Sequence, residues 1–393
     1  MQPLISQGML APTQLPPHAL LKYLPDASLP SLRGMREDIP DPRRARRKFR
    51  IANFVTSFGS AGIWGPAVAN ATLLAASEIN RRGGILGREI EIVLCEAGGP
   101  LEDVARRASD AITFDEIDLV MGSHISAVRL ALRKAVAGRV PYIYTPVYEG
   151  GERTPGVLAI GETPRRDQKP AIHWLATVKQ ASRWYLIGSD YVWPWLSHRA
   201  VKRYIAQSGG RVVGEEFVPV GVDNHDVHLA RIRAAKPDVV LISLIGADSI
   251  AFNRSFGESG LGRKMLRLAG AMDETLLLGI GADNTENLFC ASGYFNSVRS
   301  AENEMFLDRY RAAFGACAPP VGSVGESNYE GLHFLEALAH RAGSADRRAL
   351  LKTAENIVYS SVRGPVAVRN GHARMPIYLC EADGLDFKIV CSF

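Results

Sequence analysis

The sequence holds no Cys-x-x-Cys pair: its five cysteines stand apart at positions 95, 290, 317, 380 and 391. That spacing removes the usual zinc and thiol-redox signatures. Cys95, Cys380 and Cys391 fall in apolar strand-like runs, where a buried reduced thiol is expected. No apolar stretch approaches the roughly 18 residues a membrane-spanning helix requires. No Gly-x-x-x-x-Gly-Lys-Ser/Thr loop occurs, and Gly279-Ile280-Gly281 lacks the third glycine of a dinucleotide fingerprint. No Gly-x-Ser-x-Gly nucleophile elbow is present either. One-signed charge is also missing from most of the chain. Residues 1–50 carry nine basic and four acidic side chains, so the other 343 residues hold 37 of each. A neutral body argues against a nucleic-acid groove, and the basic run Arg43 to Lys48 reads as a solvated linker. His225 and His228 with Asp223 resemble a ligand set, but Asp226 beside them is more simply a helix-start residue. No catalytic residue, metal or cofactor is therefore expected.

What is present is a strand–helix rhythm. Phe49 to Val55 reads as a strand running into a small-residue loop, Thr56 to Gly62. A helix then opens at Pro66 and stops at Gly83-Gly84. Strands follow at 89–95, 117–122, 140–144 and 157–160, with helices between most of them. The rhythm repeats with strands at 184–188, 211–218, 239–245 and 266–272. This alternation predicts α/β architecture with parallel sheets wound by right-handed crossovers. Later helices are expected at 301–314, 327–341 and 346–355. The end reads as antiparallel, with hairpin turns at Asn370-Gly371 and Asp383-Gly384.

Open α/β sheets hold ligands at the carboxyl ends of their strands. Ser126, Tyr144, Tyr191, Trp193 and the Gly246-Ala247-Asp248 turn all stand at such ends. Each alone is as well explained by packing or capping. Together their hydroxyl, indole N–H and backbone groups suit a small polar ligand in a cleft.

From about Ile51 to Val390 the chain resembles the type I periplasmic-binding-protein fold, and within it the short-chain amide and urea binding branch. The resemblance rests on Gly83-Gly84-Ile85-Leu86-Gly87-Arg88, on Tyr144 through Tyr148-Glu149-Gly150 to Pro155, and on Gly188-Ser189-Asp190-Tyr191-Val192-Trp193-Pro194. It also covers Lys236 to Val240, Tyr294-Phe295 with Asn303 and Phe306, and Asp383 to Phe387. It implies two Rossmann-like lobes with central parallel sheets, three interlobe crossings and a ligand cleft closed by a hinge. The expected division is a flexible extension over 1–47, a first lobe of 48–165 plus 296–358, and a second of 166–295 plus 359–393. Ligand positions carried over are Ser126, Tyr144 and Trp193, with main-chain groups at Thr145 and Pro146. Trp193 stands where the amide sensor of amidase operons has tyrosine. Asp248 or Glu274 would receive an ammonium if the ligand were a branched-chain or other amino acid.

The resemblance implies a non-enzymatic receptor for a short amide, urea or similar molecule. Its expected partner is an ABC permease or, for a cytoplasmic negative regulator of amidase expression, another regulatory protein. A homodimer is among the expected assemblies. The N-terminal residues lack the pattern of a secretory signal, so the cytoplasm is the expected location and the periplasm its alternative.

Overall fold

The computed structural model describes residues 48–393; the extension expected over 1–47 lies outside the described residues. Two sheets organise the chain. The first lobe begins with β1 (Phe49–Val55), α1 (Gly65–Arg81), β2 (Ile90–Glu96), α2 (Leu101–Phe114), β3 (Leu119–Ser123) and α3 (Ser126–Val136), and continues through β4 (Tyr142–Tyr144) and β5 (Val157–Ala159). Its parallel strands lie side by side in the order β2-β1-β3-β4-β5. Strands such as β3, buried at every position and apolar up to its final Ser123, need helices on both faces. α1 stops where the sequence predicts. The Gly84 backbone has φ +71°, and a side chain there would overlap the Arg88 carbonyl.

The second lobe runs through α4 (Gln168–Val178), β6 (Arg183–Ser189), α5 (Val192–Gln207), β7 (Arg211–Val218) and α6 (Asp226–Ala235). It continues with β8 (Val239–Ser243), α7 (Gly246–Glu258), β9 (Leu266–Ala269), α8 (Glu274–Ile280) and β10 (Leu288–Ser292). The parallel order here is β7-β6-β8-β9-β10. The chain then returns to the first lobe for α9 (Ala301–Phe314), α10 (Gly322–Ala342) and α11 (Arg347–Thr353).

The C-terminal strands divide differently from the expectation. β11 (Asn356–Ser361), β12 (Gly364–Arg369) and β13 (His372–Arg374) all pair into the first sheet, the last through His372 beside Ala159. β14 (Tyr378–Asp383) and β15 (Asp386–Ser392) pair antiparallel beside β10 in the second. The third crossing therefore falls at 375–377, not at 358, and residues 359–374 belong to the first sheet. The Asn370-Gly371 turn is present, but its second strand is only three residues long. The hairpin pattern fixes a local turn and says nothing about which sheet receives it.

The three crossings meet at one buried ion cluster. Arg363, between β11 and β12, donates through Nη1 to Glu162 on the first crossing at 2.8 Å and pairs with Glu326 of α10 at 2.5 Å. The Gly293 N–H on the second crossing donates to the same Glu162 carboxylate at 2.9 Å. Arg363 Nη1 also lies 3.0 Å from the Met375 sulfur on the third. A guanidinium suits this place because its five donors radiate in one plane.

Candidate ligand-binding cleft

The cleft is closed. Val55, Trp64 and Val68 of the first lobe share one apolar cluster with Trp193, Ile245, Met272 and Leu276 of the second. Two polar contacts bridge the lobes beside it. The Trp64 indole N–H donates to Asp273 at 3.0 Å, and the Ser60 hydroxyl donates to Asp248. Gly246 sits against the Ser60 carbonyl at φ +48°, so close that a side chain would overlap it.

Between the lobes lies a cavity of about 50 Å³, measured at water centres. A single water needs roughly 10–15 Å³ on that scale, so the space suits a small organic molecule. Its wall is mostly apolar: Val55, Ala61, Trp64, Val68, Ile125, Pro146, Val147, Ile245, Ala271 and Val324 contribute alongside the aromatic rings. Ser126, Tyr144, Pro146, Tyr191 and Trp193, expected from the sequence, all line it. No side chain charged at neutral pH does, among the described residues. His124 belongs to the wall, but burial pushes its imidazole down to about 3, and it faces Tyr142 Oη at 3.0 Å.

Three expected residues stand elsewhere. Thr145 turns into the first lobe, donating to Asn328 at 3.1 Å within a buried network that includes Asn53 and Thr72. Asp248 accepts the Gly221 N–H at 3.0 Å as well as the Ser60 hydroxyl. Gly246 is the close-packing position described above. Glu274 accepts the Asn296 N–H at 2.7 Å and is likewise absent from the wall. His228 pairs with Glu216 at 2.8 Å at the start of α6, outside the cavity.

Behind the wall is a feature the sequence reading missed. Arg129 of α3 is buried against Glu149 at 2.5 Å and against Glu152, and it stacks on the rings of Tyr144 and Tyr148. Ser126 donates to the other oxygen of Glu149 at 2.6 Å. The Tyr148-Glu149 stretch is thus the brace that fixes Ser126 and Tyr144. Tyr144 in turn donates to the His124 carbonyl at 2.8 Å, and burial raises its phenol above the usual range. Two buried donors on the wall lack partners: the Ser123 hydroxyl and the Trp193 indole N–H. Trp64, Ser123 and His124 were also missed. Ser123 and His124 stand at the carboxyl end of β3, where the strand-end rule reaches them, whereas Trp64 lies at the far end of the loop that leaves β1, just before α1.

Two α/β lobes, three crossings and a closed apolar cavity define a two-lobed solute receptor. The chain belongs to the periplasmic binding protein family, whose profile matches residues 48–386. A Leu/Ile/Val-binding protein of Rhizobium johnstonii is 24% identical over 308 residues, covering 75% of this chain and 80% of that protein. A Rhodopseudomonas palustris ABC-transporter solute-binding protein, solved with 4-hydroxybenzoate, superposes with a TM-score of 0.79 at 18% identity, covering 88% of this chain and 97% of the other. A leucine-binding protein of Thermotoga maritima gives 0.76 at 18% identity, covering 88% and 98%. At these identities the structures speak for the fold. Membership of this family makes the chain a solute-binding protein, not an enzyme. No described helix is long and apolar enough to cross a membrane.

Proposed function

We propose that the protein is the receptor of an ABC importer for a small molecule with an apolar body and one polar end, a carboxylate or a primary amide. The observation that carries this reading is the cavity wall, mostly apolar and, among the described residues, free of charged side chains. The polar end would lie at Ser123 and Ser126, where the N-terminus of α3 offers unpaired backbone N–H groups. The indole N–H of Trp193 would supply a further donor. A free amino acid brings an ammonium that needs an acceptor, yet Asp248 is bonded to Ser60 and Gly221, and neither it nor Glu274 lies on the cavity wall. Urea has no apolar part to set against Trp64, Val68 and Ile245. Within the amide branch, the reading therefore keeps short-chain amides and drops urea.

The bound 4-hydroxybenzoate of one fold relative supports the carboxylate arm, and the Leu/Ile/Val-binding relative is the reason to test leucine. A thermal-shift panel of benzoate, butyramide, leucine and urea decides, since a ligand that binds only the folded state raises its midpoint. Benzoate or butyramide should raise the midpoint, while leucine and urea leave it unchanged. A shift with leucine alone would overturn the reading. On this reading the protein works outside the cytoplasm, a location its membership of the periplasmic binding protein family supports. Recovery of the native protein only from the cytoplasmic fraction would favour the sensor role instead.

A further inference from the structure

β10 and β14 run antiparallel in the second lobe with Cys290 directly opposite Cys380. Opposed residues of such a pair have Cα atoms roughly 4.5–5.5 Å apart and side chains on the same face. A disulfide spans Cα separations of roughly 4.4–6.8 Å. Both sulfurs belong to one apolar cluster, with the residues 1% and 0% exposed. Neither has a competitor in register. Cys391 lies opposite Leu379 and packs with the cluster on the other face of the sheet. Cys95 is on β2 in the first lobe, and Cys317, exposed, lies between α9 and α10.

We propose that Cys290 and Cys380 are a disulfide site, oxidised when the chain folds in a compartment that supplies a disulfide donor. The donor is a dithiol-disulfide oxidoreductase or glutathione disulfide. The Cys380 thiolate attacks one donor sulfur and releases a thiolate. The Cys290 thiolate then attacks the Cys380 sulfur of the mixed disulfide and releases the second. Two protons leave the protein, and its two electrons reduce the donor disulfide to two thiols.

The structure describes the reduced pair, with the Cys290 thiol donating to the Met272 carbonyl at 3.4 Å. Closing the bond removes the thiol hydrogen and with it that hydrogen bond. Burial raises both thiols well above their ordinary range, so exchange is slow once the sheet has closed. It proceeds during folding, or when the β14–β15 hairpin at the sheet edge opens. The bond would join the strand that leads into the second crossing to the strand that follows the third. That position staples the C-terminal hairpin to its lobe.

The test uses the full chain, reduced and then incubated with glutathione disulfide at a urea concentration just below unfolding. After blocking with N-ethylmaleimide and digestion, mass spectrometry should find one linked peptide pair containing Cys290 and Cys380. It should be absent from both C290S and C380S, and the oxidised protein should unfold at higher urea than the reduced. Full maleimide labelling of both residues in the unsubstituted chain would overturn the proposal. A link to Cys391, Cys317 or Cys95 in its place would do so as well. An unchanged urea midpoint in the linked protein would overturn its structural role.

Discussion

Arg129 shows how a side chain that never reaches the cavity can decide its shape. Its guanidinium is 2% exposed and shared between two carboxylates that are 2% and 1% exposed. Removing one partner of a buried ion pair typically costs about 3–5 kcal/mol, because the remaining charge is left uncompensated. Arg129→Met should therefore lower stability by about that amount in urea titration, with Glu149→Gln on top restoring part of it. Trp193→Phe probes the wall directly. The unpartnered indole N–H is lost while most of the ring is kept, so the free protein should be as stable or slightly more so. Affinity should fall about 5- to 20-fold if the ligand accepts that bond, a change calorimetry would detect. Five of the eight site residues expected from the sequence do line the cavity. The strand-end rule locates backbone positions. It cannot tell that Thr145 turns inward to Asn328, nor that Asp248 is taken by Ser60 and Gly221.

At the scale of elements, the parallel strands and their helices follow from hydrophobic period and glycine stops, and those were legible. The assignment of the last strands was not. β13 and β14 are separated by three residues, and only their neighbours in space decide that one joins the first sheet and the other the second. The contacts that hold helix against helix across the cleft were equally hidden, since Ser60 and Asp248 are 188 residues apart. These contacts exist only when the cleft is shut. Ser60→Ala should consequently favour the open form by about 0.5–1.5 kcal/mol, the net value of one hydrogen bond. Ligand affinity should fall by about 2- to 10-fold, through faster release, with little effect on thermal stability. Stopped-flow dissociation and small-angle scattering of the free protein would measure both effects.

For the whole molecule, opposing groups set the response to pH. Burial raises Glu274 to about 8 and Asp273 to about 6. A carboxyl favoured in its protonated form contributes stability at low pH that is lost as pH rises through its folded value. Glu215 is held at about 2 by a hydrogen bond from His198 and, against burial, by Lys202. Glu78 is lowered to about 2 by His333, Tyr329 and Arg309, which together outweigh its burial. Their contribution is present above the ordinary carboxylate range and disappears as pH falls toward 2. Stability should peak in mild acid, and Glu274→Gln should flatten the decline between about pH 5 and 8 in urea titrations.

Arg363 has a consequence for how the lobes move. Because one planar cation holds the first crossing through Glu162, touches the third at Met375, and shares Glu162 with the backbone of the second, no strap can bend without shifting the anchor of the other two. Opening is thereby geared, a swing about one axle with little independent twist. In solution that predicts a narrow spread of interlobe distances between spin labels on α2 and α6. With Arg363→Met the distribution should broaden while its mean stays near that of the unsubstituted protein.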